Sequence, residues 1–190
     1  IIGLSNHNNS IKHYRDQHAV DCGVYCHNGV ILSTYPSARR RNWKWGITFH
    51  TGNDITYNPS DIISLKKEGR KVTILKNNSP VTGLPSCTLP EATASPVKAG
   101  LVLHNNGKGI RNVKWIRAAG QNNFCSRCPF GTTSAPDIIG SWTKTNTTDN
   151  GLYGIKKTTT TGWNGSGATS NNSITGDGQL DFKCDTDGYT

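Results

Sequence analysis

Cys22 is the cysteine whose neighbours invite chemistry, with Asp21 before it and Gly23 after it. A cysteine becomes a nucleophile where a helix terminus or a nearby histidine lowers its thiol pKa. Gln17 stands upstream as an oxyanion donor, His50 or His104 serves as base, and Asp54 orients the base. That set describes a cysteine hydrolase or protease. The residues after Cys22, however, read as a strand and a turn rather than a helix, and no spacing singles out one histidine. A structural cysteine is the main reading of Cys22, and the hydrolase is the alternative.

Two other constellations offer binding chemistry. Cys22 and Cys26, followed by His27, form one close pair, and Cys125 and Cys128 form another. Two such pairs can enclose a tetrahedral zinc ion. Disulfides are the competing and preferred fate, and no cofactor is expected. The second constellation is Arg39, Arg40, Arg41, Asn42, Trp43, Lys44 and Trp45. Guanidinium groups fork onto phosphate, sulfate or carboxylate oxygens. In an extended segment Trp43 and Trp45 share a face and can stack on bases or sugar rings. Arg39, Arg40, Arg41, Trp43, Lys44 and Trp45 are therefore the candidate binding residues for an anionic polymer, either nucleic acid or acidic glycan. The acidic run at 177–187 lacks the closing Glu of an EF-hand. Ser166 lacks the glycine two residues earlier that a nucleophile elbow needs.

Composition sets the frame for these residues. The chain has 190 residues with 21 Lys and Arg against 12 Asp and Glu, a formal charge of +9. Such a surface is drawn to polyanions. Met is absent, and Glu occurs only at Glu68 and Glu91. Thr, Ser, Asn and Gly are abundant, and they favour turns, caps and strands over helix interiors. The expectation is a mainly β fold of antiparallel hairpins, a sandwich or barrel with long loops and little helix. One domain is expected over 1–190, with a polar surface arm at 1–19 that has room for one short strand, and a Gly/Ser/Thr/Asn-rich stretch at 159–178 that suits a flexible loop or an exposed β-edge. No stretch is apolar and long enough to span a bilayer.

The even cysteine count predicts three bridges in an oxidising place, extracellular or on a virion surface, with the pairing left open. Asn8, Asn77, Asn146, Asn164 and Asn171 begin Asn-x-Ser/Thr triplets. Together with the missing initiator Met, these suggest a mature or excised product.

The elements that would position the chemistry begin with two similar units. Residues 23–32 place β-prone runs around Asn28-Gly29, the strongest hairpin signal in the chain. Residues 46–55 align with them without a gap, matching Gly23 to Gly46, His27 to His50 and Gly29 to Gly52, and predict a second hairpin. A looser Gly, aliphatic, His pattern recurs at Gly3 to His7 and Gly100 to His104. It reads as a hairpin habit rather than a repeated ligand site. Further hairpins are predicted at 62–75, turning at Glu68-Gly69, and at 100–117, turning through 105–109. Two strands are expected within 137–158, and a final strand at 179–184 is tied down by Cys184.

Residues 44–59 resemble the histidine-box hairpin of the lecithin-retinol acyltransferase-like proteins and their picornaviral counterparts. Lys44 stands where that family carries its catalytic His. The same region resembles the first barrel of small viral chymotrypsin-like proteases, with Asp54 in the Asp-Ile context, and there the catalytic His position falls near Pro36. Both likenesses imply a β-hairpin and no activity.

Overall fold

The computed structural model describes residues 1–5, 20–27, 30–36, 47–90, 96–117, 137–138, 141–151, 153–160, 162 and 165–185. Of these, 27, 30–36, 47–54, 117 and 137–138 are described by their backbone. The described residues form strands, turns and loops, with no helix. In order the strands are β1 (Ile2–Ser5), β2 (Cys22–His27), β3 (Val30–Pro36), β4 (Ile47–Thr56), β5 (Ile63–Glu68), β6 (Lys71–Lys76), β7 (Ser79–Pro80) and β8 (Cys87–Thr88). They continue with β9 (Val97–Val102), β10 (Gly109–Arg117), β11 (Asp137–Ile138), β12 (Trp142–Thr145), β13 (Thr147–Asp149), β14 (Ile155–Lys157), β15 (Gly167–Ile174) and β16 (Gly178–Cys184).

Seven strands make one antiparallel sheet, in the order β12-β15-β9-β1-β2-β3-β4. Nine make the other, β13-β14-β10-β16-β5-β6-β7 with β11 beside β10 and β8 beside β6. The fold is mainly β, as composition predicts, and the two sheets share one core. Ile2, Leu4, Val24, Ala99 and Leu101 come from the first sheet, and Ile63, Leu65, Trp115, Leu180 and Phe182 from the second. Strand side chains alternate between faces, so each sheet keeps an outward face as well.

The strands flanking the 28–29 signal pair as predicted, β2 with β3 and His27 opposite Val30, while Asn28 and Gly29 themselves lie outside the described residues. The 62–75 hairpin forms, with Gly69 at φ 56° where β5 turns into β6. Three expectations change. The unit at 46–55 is not a hairpin, because β4 pairs throughout with β3. Its Gly52-Asn53 turn chemistry is absorbed where residues 51–54 stand opposite Leu32 alone, between the Ser33–His50 and Ile31–Ile55 pairs. The strands at 100–117 do turn through Gly107, at φ 71°, but β9 and β10 enter opposite sheets.

The third change concerns the polar segments. β1 is the short strand of the polar arm, and it is buried between β9 and β2 rather than lying on the surface, while 6–19 lie outside the described residues. β15, in the supposed flexible loop, lies between β12 and β9 with Ala168, Thr169 and Ser170 buried. Their small residues let neighbouring strands approach, and their backbone donors and acceptors are consumed in ladders.

The loose glycine pattern has a structural meaning. Gly3 pairs with Gly23 on one side and Gly100 on the other, making a row across β9, β1 and β2. A Cβ at Gly3 would fall inside the Val20 side chain, and one at Gly23 would run into Ile2 O. Val20 is buried over this row and closes part of the outward face of the seven-stranded sheet.

Candidate anion-binding face

The cysteines come first, because their bonding decides whether catalysis or zinc is open to them. β2 carries Cys22 and Cys26 four residues apart, hence on the same face. Cys22 is bonded to Cys87 beside β6, with Cα atoms 5.7 Å apart. Cys26 is bonded to Cys184 on β16, with Cα atoms 6.4 Å apart. Both bridges tie the seven-stranded sheet to the nine-stranded one.

A bonded sulfur has no thiol to ionise, so the alternative reading of Cys22 as a nucleophile has no chemistry here, and Cys22 is the structural cysteine of the main reading. His50 lies on β4, two strands from β2, which is roughly 10 Å by strand spacing alone. That is beyond hydrogen-bond reach of Cys22. Asp54 falls in the irregular stretch of β4 opposite Leu32. The four-cysteine zinc set is corrected as well, because Cys22 and Cys26 are spent in separate bridges. Cys125 and Cys128 lie outside the described residues, as do Arg39, Arg40, Arg41, Trp43, Lys44 and Trp45.

His104 follows β9 at the edge of a small cavity beside the Cys26–Cys184 bond. The cavity, about 40 Å³, is lined by Tyr25, Leu103, Lys108 and Asp185 among others. Ligand pockets occupy roughly 300–1,000 Å³, so this one admits water rather than substrate. His104 Nδ1 sits 2.6 Å from Asn105 Oδ1.

The larger feature is the outward face of the nine-stranded sheet. Residues in register share a face. Arg111 on β10 is opposite Lys183 on β16, and Lys114 is opposite Asp181, which pairs on its other side with Ser64. Gln179 pairs with Lys66 on β5, and Glu68 pairs with Lys71 on β6. Lys156 on β14 is opposite Gly109, two residues before Arg111. Lys156, Arg111, Lys114, Lys183, Lys66 and Lys71 thus project from one face of five adjacent strands.

Some of that charge is locally balanced. Arg111 Nε is 2.8 Å from Asp185, Lys66 Nζ is 2.7 Å from Glu68, and Lys114 Nζ is 3.6 Å from Asp181. Lys156, Lys183 and Lys71 have no ion pair among the described residues.

A bulge makes this face possible. Between Arg111 and Lys114 β10 has one more residue than β16. In a regular strand those two side chains would point to opposite faces; the extra residue brings both outward. Asn112 takes up the insertion at φ 54°, a region asparagine tolerates better than most residues. Sequence reasoning missed the face because simple alternation splits Arg111 from Lys114. The only local signal is an asparagine inside an otherwise β-prone run.

The position of a lysine in the sheet decides its role. Lys67 and Lys157 sit on the inward face of the same sheet and are 3 % and 1 % exposed. Lys67 Nζ donates to Gly176 O at 2.7 Å. Lys157 Nζ donates to His104 O at 3.0 Å and to Gly162 O. Desolvation holds both pKa values below the usual lysine range, with Asp177 opposing the shift at Lys67. These two cations clamp loops inside the fold and add nothing to the surface.

No helix among the described residues is long and apolar enough to cross a membrane. The chain matches no family model, no curated protein and no solved structure.

Proposed function

We propose that the protein is a non-enzymatic cationic β-domain, extracellular or displayed on a viral particle, that binds an anionic polymer, nucleic acid or acidic glycan. Support comes from the placement of Lys156, Arg111, Lys114, Lys183, Lys66 and Lys71 on one outward face. Neighbouring strands lie about 4.8 Å apart, so these cations form a field wide enough for several anionic groups at once. Arg39, Arg40, Arg41, Trp43, Lys44 and Trp45 are proposed as a second binding stretch for the same partner. The two bridges are compatible with an oxidising compartment. Asn77, Asn146 and Asn171 are exposed, so a glycan at any of them would reach solvent. The hydrolase alternative has no thiol at Cys22 to work with.

The test is the salt dependence of binding to long heparin and to nucleic acid. Affinity should fall steeply with added salt as the advantage of counterion release disappears. Replacing Lys66, Lys71, Lys156 and Lys183 together with Gln should flatten that slope, by roughly 0.7–0.9 for each nucleic-acid phosphate that is no longer neutralised. Replacing Arg39, Arg40 and Arg41 with Ala tests the second stretch in the same way. If both folded variants kept the wild-type slope, the reading would fall.

A further inference from the structure

Two unfavourable arrangements meet at the β10 bulge. The first is electrostatic. Arg111 and Lys183 stand directly opposite each other across β10 and β16, and like charges so placed repel. Asp185 offsets part of this through Arg111. The same carboxylate also accepts from Gly109 N and from Asn150 Nδ2. Lys183 gains no ion pair among the described residues, and Lys156 adds a third cation on the other flank of β10.

The second is conformational. Tyr153 has φ 58°, a left-handed value that is uncommon for a bulky residue. It is held there by the bulge itself, because Val113 N donates to Tyr153 O at 3.0 Å. Asn150 N donates to Gly154 O, and Gly154 packs so closely on β10 that a Cβ would strike Ile110 O. Tyr153 is 36 % exposed, the one exposed large hydrophobic side chain among the described residues. Strain of this kind persists where surrounding structure enforces it, and it clusters at functional sites.

We infer that Tyr153, Lys156, Arg111 and Lys183 form a subsite for one sulfated sugar unit of an acidic glycan, which rests on the polyanion reading above. A sulfate oxygen pair matches the guanidinium fork of Arg111, and its charge relieves the repulsion with Lys183. Tyr153 offers a ring on which the apolar face of a sugar can lie, with a polar tip that stays wet. The two bridges favour an oxidising compartment. Sulfated glycans are the anionic polymers met on the outer surfaces of cells, so a glycan is favoured over nucleic acid.

The experiment measures affinity of the disulfide-intact protein for a heparin hexasaccharide, its desulfated counterpart and a single-stranded oligothymidylate of equal charge. The wild type should bind the sulfated hexasaccharide at least tenfold more tightly than either comparator. Tyr153→Gly should weaken it about tenfold while the melting temperature holds or rises, because glycine adopts positive φ without strain. Lys183→Gln should weaken it severalfold and flatten its salt dependence. Lys98→Gln, on β9 of the seven-stranded sheet, should change it less than twofold.

Tyr153→Gly and Lys183→Gln both binding the hexasaccharide like wild type would overturn the subsite. If only the fourfold lysine variant then failed to bind long heparin, the broader reading would stand, whereas no binding of any anionic polymer would sink both. Tighter binding of oligothymidylate than of the hexasaccharide would overturn the glycan assignment and favour nucleic acid.

Discussion

The outward faces of the two sheets are treated in opposite ways. On the seven-stranded sheet, Gly3, Gly23 and Gly100 form a row with no side chains, and Val20 is buried over it. On the nine-stranded sheet the equivalent face carries long cationic side chains across five strands. A face of glycines invites backbone to cover it, and what is covered becomes interior. A face of lysines keeps its stems against the sheet and its charges in water. One sheet has its outer surface partly closed by its own chain, and the other leaves it available to a partner.

Filling the glycine row attacks the covered face and should have the largest effect. Gly23→Val places a side chain against Ile2 O and Val20, with backbone on one side and a buried methyl on the other. A loss of about 3–5 kcal/mol in denaturant unfolding is expected. Thr73→Val, on the open face, should stay within about 0.5 kcal/mol. Equal costs at the two positions would erase the contrast between the faces.

Next comes the tie between the sheets. Replacing Cys26 and Cys184 with Ala opens a bridge spanning 158 residues. It should cost roughly 2–4 kcal/mol, chiefly by freeing the unfolded chain. Hexasaccharide affinity should hold at temperatures where the variant is folded, because the open face lies on the other side of the sheet from the bridge. Binding abolished with the fold intact would show that the face depends on the tie.

The inward lysines sharpen the comparison within one sheet. Lys157→Met leaves His104 O and Gly162 O without this donor, for an expected loss of about 1–2 kcal/mol at neutral pH. Burial lowers the folded pKa of Lys157 and Lys67 below the unfolded value of about 10.4. Between the two values the unfolded chain binds more protons, so stability rises with pH through that alkaline window. The penalty is fully present below the folded pKa. Stability measured from pH 7 to pH 10 should show this rise, and Lys157→Met should reduce it. A rise of undiminished size in the variant would show that Lys157 is not its source.

The smallest effect belongs to the open face. Lys183→Gln removes one member of a like-charge cross-strand pair, so it should raise stability by a few tenths of a kcal/mol at low salt while weakening anion binding. The gain should shrink as salt screens the repulsion. A loss of stability would mean that Lys183 supports the fold rather than burdening it.

Local turn chemistry was legible from residue types. Signals such as Asn28-Gly29 and Glu68-Gly69 reach only a few residues, and the strands on either side of each pair as those signals predict. Gly52-Asn53 has the same chemistry, yet pairing of β4 with β3 on both sides converts it into an irregular bulge. The cysteine pairing was hidden because partners separated by 65 and 158 residues meet only after sheet assembly. The candidate face was hidden because one inserted residue at Asn112 reverses the alternation that sequence reading relies on.

The sequence by itself determined that the chain builds strands, where its sharpest turns fall and that its surface carries an excess of cations, because propensity, turn geometry and charge are properties of residues and their near neighbours. Tertiary structure alone decided which sheet each strand joins and which lysines face water. Those depend on long-range pairing, and the register of a strand assigns every side chain to a face. Lys156 and Lys157 are adjacent in the chain, yet that alternation places one on the open face and seals the other in the interior.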